Sequence, residues 1–144
     1  MTGVQTCALP IYWLYTVQRW TGILALIYIC VHTWSMRFSG VHIMTNPDAA
    51  FAKVWLTLQS PWVVAFYFVG VFAATWHFAY GIWLFAAKWG ITVGDSARRN
   101  FGYVCIAFGL AMALIWSATM ITFVTTPRTD PQLIRSMEVL RQAE

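Results

Sequence analysis

Charge is what this sequence has least of: charged residues fill 10% of its 144 positions, against about a quarter in an average globular domain. With 60% hydrophobic residues, a soluble fold is excluded and the membrane class follows before any motif is read. Acidic residues are scarcer than basic ones, five Asp and Glu against nine Lys and Arg for a net charge of +4. Most of these charges stand between and after the apolar runs, so they flank membrane spans and do not make a nucleic-acid surface. Cysteine is also sparse: Cys30 and Cys105 fall inside apolar runs and Cys7 stands near the start. No zinc spacing and no disulfide framework can be built from them.

What is present is long apolar sequence. Runs at about 12–37, 62–87 and 99–124 are each long enough to cross about 30 Å of hydrocarbon at about 1.5 Å per residue. The fold class expected is therefore an all-α membrane protein with three transmembrane helices. Between the first two runs, Asn46, Pro47 and Asp48 read as an N-cap, a proline at the first helical position and an acid in the first turn. Phe51, Val54, Trp55 and Leu58 then follow at helical spacing, which predicts a short amphipathic helix on the membrane surface. Ser60 and Pro61 repeat the start signal, and Gly90 and Gly94 stop the second span. Asp130 and Pro131 open the polar tail, 126–144, in which Leu133, Met137 and Leu140 share one face of a short helix outside the bilayer. Lys88, Arg98 and Arg99 make the loop between the second and third spans basic, which places it on the cytoplasmic side.

The leader Met1 to Ile11, reading MTGVQTCALPI, has too short an apolar stretch and no basic residue to serve as a signal peptide. Reverse-translated, it resembles the read-through of a sequencing-library adapter. The adapter's last base spills into the next codon as T, and both codons of Tyr12 begin with T. Residues 1–11 are therefore set aside as an artefact, and the natural protein is expected to extend upstream of Tyr12.

Ionisable residues at membrane depth are functional candidates by default, and His32 and His77 stand there. His42 is read as an ordinary loop residue. Around His77, at helical offsets, stand Gly70, Ala73, Ala74 and Gly81, a small-residue face that either admits a flat group or packs another helix closely. His32 has Tyr28, Ala25 and Thr21 on its face, with Gly22 adjacent, a weaker version of that pattern. Metal chemistry with imidazole alone points to haem, whose iron takes two such ligands. In antiparallel spans the two histidines differ in depth by about 15 Å, so they cannot share one ring. Lys88, close to three full turns after His77, is either a haem-propionate partner or a snorkelling interfacial lysine.

The strings VQRWTGILALIYICVHTW and FYFVGVFAATWHFAYGIWLFAAKWGITVG resemble the third and fourth helices of the cytochrome b558 membrane anchor of succinate dehydrogenase and fumarate reductase. This is the single-polypeptide, two-haem type, and the resemblance extends over Tyr12 to about Val124. It implies that the three spans are the third to fifth of a five-helix haem-binding bundle. His32 would then be a ligand of the distal haem b and His77 of the proximal one, with their partner histidines on helices absent here. The function implied is to anchor the flavoprotein and iron-sulfur subunits at a bacterial cytoplasmic (inner) membrane and pass electrons to a membrane quinone. The chain itself would carry no succinate site, and the loop of Lys88, Arg98 and Arg99 would face the soluble subunits. The polar tail after Val124 departs from the family pattern. Two other readings stand open: a haem-free anchor whose histidines bond between helices, and a fragment of another membrane cytochrome b or of a transporter.

Overall fold

The computed structural model describes residues 8–38 and 47–142. The first long helix, α1, spans Ala8–Thr33 and runs on into one wider π turn at Trp34–Phe38; it starts inside the leader that the sequence reading set aside. After a 3-10 turn at Pro47–Ala49 comes the short helix α2, Ala50–Thr57. The proposed cap Asn46, the loop histidine His42 and Cys7 lie outside the described residues.

Helix α3 spans Pro61–Lys88, led by Ser60 in extended geometry (φ −85°, ψ 123°) with proline at its first position, where no amide hydrogen bond is lost. It ends in a Schellman turn: Gly90 takes φ +70° and the Ile91 amide donates back to the Ala86 carbonyl at 3.0 Å. Gly94, at φ +87°, launches α4, Asp95–Thr125, which begins four residues earlier than the apolar pattern suggested because a charged first turn adds no hydropathy. An alanine at position 90 would be forced into the left-handed region. Gly90→Ala is therefore expected to cost about 1 kcal/mol, read as a lower midpoint when the detergent-solubilised protein is unfolded by titration with SDS.

Among the described residues three helices are long and apolar enough to cross a membrane, α1 with its π turn, α3 and α4, so the chain is a multi-pass membrane protein. Both α1 and α4 pack on α3. Hydrocarbon offers no water to drive helices together, so they approach where side chains are small. Gly70 receives the Tyr28 ring, Gly22 lies under the His77 imidazole, and Gly109 lies against Ala79. Inside the spans, Thr21, Thr119, Thr122 and Thr125 bond their hydroxyls to carbonyls one turn back, which satisfies them without water.

The last helix, α5, spans Pro131–Gln142. The Asp130 carboxylate caps it, Oδ1 accepting from the amides of Gln132 at 2.8 Å and Leu133 at 3.1 Å. Rather than standing alone at the surface, α2 pairs with α5. Leu133 is fully buried against Ala52 and Trp55, with Met137 and Leu140 beside it. Between the two helices, the Ser136 hydroxyl donates to the Asp48 carbonyl at 2.7 Å and accepts from the Ala52 amide at 2.9 Å. That amide belongs to the first turn of α2, where helix geometry supplies no partner. Trp55 ties the pair to the end of α4 through Nε1 donating to the Thr126 carbonyl at 3.1 Å. Leu58, Tyr67 and Met120 continue the contact toward the spans.

Candidate cofactor site between the first and second long helices

Both membrane histidines face the α1–α3 interface, and each uses one nitrogen to bridge it. His77 Nδ1, on α3, lies 3.0 Å from the Gln18 carbonyl of α1, to which it donates. The Gln18 side chain answers, its Nε2 donating to the His77 carbonyl at 3.0 Å. His32 Nδ1, on α1, lies 3.0 Å from the Tyr67 hydroxyl of α3. The His32 ring stacks on Tyr28 at 5.6 Å and meets Tyr67 edge-on at 5.6 Å.

These pairings set the depths. His77 is level with Gln18 and Gly22, and His32 with Tyr67. Ten residues separate Gly22 from His32 on one helix and Tyr67 from His77 on the other, a rise of about 15 Å on each. One ring cannot reach both imidazoles.

A carbonyl acceptor at Nδ1 fixes the neutral tautomer with its proton there and leaves Nε2 bare, the usual arrangement of a metal-bound imidazole. His77 meets that requirement, and His32 meets it when Nδ1 donates to the Tyr67 hydroxyl. Neither Nε2 has a hydrogen bond among the described residues. The donor chemistry of both residues therefore fits haem iron. Among the described residues no three His, Cys, Asp or Glu gather as a metal cluster, and His32 and His77 stand too far apart in depth to serve one iron.

The small-residue face behind His77 is put to a different use from a groove for a flat ring. Gly70 holds Tyr28, and a Cβ on Gly81 would sit 3.3 Å from Gln18 Nε2, so α1 occupies that face. The reason is mutual fit: each glycine meets a bulky α1 side chain, and that pairing cannot be read from α3 alone. Lys88 is exposed, its Nζ over the Tyr15 ring at 5.4 Å from the centroid, a cation–π contact that clips the α3 end to α1.

The chain resembles proteins from two organisms. It is 34% identical over 112 residues to the succinate dehydrogenase cytochrome b558 subunit of Bacillus subtilis, a match that covers 78% of this chain and 54% of that protein. It is 29% identical over 105 residues to the succinate dehydrogenase hydrophobic membrane anchor subunit of Thermoplasma acidophilum, covering 68% of this chain and 80% of that one. This chain is similar in sequence to succinate dehydrogenase membrane anchors. It spans about half the length of the Bacillus protein. No family model and no solved structure matches it.

Sequence reasoning singled out the two histidines but missed their hydrogen-bond partners, Tyr67 and Gln18. Gln18 had a usable signal, as an uncharged polar residue within an apolar span. Its Oε1 is buried with no hydrogen-bond partner among the described residues. Reversing the amide would set Oε1 against the His77 carbonyl and lose the existing bond.

Proposed function

We propose that this chain is part of the membrane-anchor cytochrome b of a bacterial succinate:quinone oxidoreductase, holding one axial ligand for each of two haems b. The observation that carries the reading is the division of labour within each imidazole, Nδ1 engaged across the helix interface and Nε2 left bare, at two depths. Its similarity to a protein named a cytochrome b558 subunit supports it. Bound haem b would supply a one-electron carrier between an iron-sulfur subunit and a membrane quinone. The residues of this chain would fix its position: the Gln18 carbonyl and the Tyr67 hydroxyl orient the imidazoles. Tight α1–α3 packing holds both rings between the helices. Lys88 at the end of α3 and Arg98 and Arg99 in the first turn of α4 would lie on the side of the flavoprotein and iron-sulfur subunits, with Lys88 near the proximal haem's edge.

The test supplies the second ligand from solution. Purified protein titrated with haemin in detergent, then given free imidazole and dithionite, is expected to show a b-type α band. His32→Ala and His77→Ala should each remove about half of it. A band that survives both substitutions together would sink the assignment. No haem binding at all would favour the haem-free anchor, a reading that the interhelical bonds of both histidines also suit.

A further inference from the structure

Helices α1 and α4 pack on α3 without closing on each other, and the space between them is a cleft of about 990 Å³. Its floor is α3 at Val69, Ala73, Trp76 and Tyr80, and its walls are Val17 and Thr21 of α1 and Ile106, Leu110 and Ala113 of α4. The lining is almost wholly apolar except at one end, where Arg98 and Arg99 stand beside Trp13, Trp83 and Tyr103. That end lies at the membrane interface: it is the first turn of α4 and the last turns of α3, and aromatic rings gather there. Trp83 fixes the arginine-bearing turn, its Nε1 donating to the Arg98 carbonyl at 3.0 Å. The indole can reach it because residue 102 is glycine, where a Cβ would stand 3.2 Å from Nε1.

We propose that this cleft is a binding site for one anionic phospholipid, its phosphate at Arg98 and Arg99 and one acyl chain lying along α3 toward Ala113. From Arg98 to Ala113 the helix rises about 22 Å, most of the depth of one leaflet with its headgroup. Charge complementarity selects the headgroup, since two guanidiniums at the mouth of an apolar slot favour an anion over a zwitterion. A porphyrin is the other candidate with an apolar body and anionic groups, but among the described residues no imidazole lines the cleft, whereas His32 and His77 face the α1–α3 interface. The site is thus distinct from the proposed haem positions and does not depend on them.

The test is native mass spectrometry of the full chain released from detergent after incubation with phosphatidylglycerol or phosphatidylcholine. One phosphatidylglycerol is expected to be retained at least about tenfold more tightly than phosphatidylcholine. Arg98→Gln with Arg99→Gln should abolish that preference, and Val69→Trp, at an exposed lining position, should weaken both lipids by obstructing the acyl slot. Arg135→Gln with Arg141→Gln, in α5, should change nothing. Equal retention of the two lipids overturns the proposal, as does a preference that survives loss of Arg98 and Arg99, or one lost equally when the α5 arginines are replaced.

Discussion

Gly70→Leu is expected to separate α1 from α3. A Cβ at position 70 would fall on the Tyr28 ring and lie 2.7 Å from Tyr28 Cβ, an atom that no side-chain rotation can move. Overpacking in a tight core costs about 1–3 kcal/mol when neighbours can give. Here the neighbour is the root of an aromatic side chain between two helix backbones, so the loss should exceed that range for leucine and fall within it for Gly70→Ala. Titration with SDS, followed by tryptophan fluorescence, would measure it. Combining Gly70→Ala with Tyr28→Gly should recover stability, whereas Tyr28→Ala should recover only part, because its Cβ remains. Stability unchanged in Gly70→Leu would mean that this contact does not hold the helices together. Because His32 stacks on Tyr28, the same substitution should also disturb the proposed distal ligand.

The second large effect concerns the pair of short helices. Leu133→Ala empties a fully buried position between Ala52 and Trp55, and such truncations cost about 2–5 kcal/mol. The α2–α5 contact is small, so a loss of even about 2 kcal/mol should let α5 leave its partner for a substantial fraction of the time. Arg135 and Arg141 are exposed on α5, but a helical backbone resists proteases. Tryptic cleavage at these arginines should rise about thirtyfold if opening is fast relative to cutting. Cleavage at the unaltered rate would show that α5 is held by something other than Leu133. Ser136→Ala should give a smaller increase, since it strands the Ala52 amide.

Signals that are local in the chain proved readable from sequence. Hydropathy gave the three spans, the Ser60–Pro61 and Asp130–Pro131 pairs marked helix starts, and Gly90 marked a stop. Features that depend on two distant residues were not readable. Ser136 looks like a polar interruption of the Leu133–Met137–Leu140 face until its hydroxyl is seen between Asp48 and Ala52, 84 to 88 residues away. Glycines on α3 are compatible with a flat ligand or a bulky neighbour, and only the α1 side chains opposite them decide. The histidines stood out because ionisable groups are costly in hydrocarbon, but the atoms that orient them, the Gln18 carbonyl and the Tyr67 hydroxyl, come from the facing helix.

The α2–α5 pair has a consequence for biogenesis. One partner precedes α3 and the other follows α4, so they can meet only if an even number of crossings separates them. A chain in which α3 or α4 failed to insert would leave the partners in different compartments, Leu133 bare and the Ala52 amide unanswered. The clasp therefore reads the parity of insertion: it can close once α3 and α4 have both crossed, and stays open when only one of them has done so.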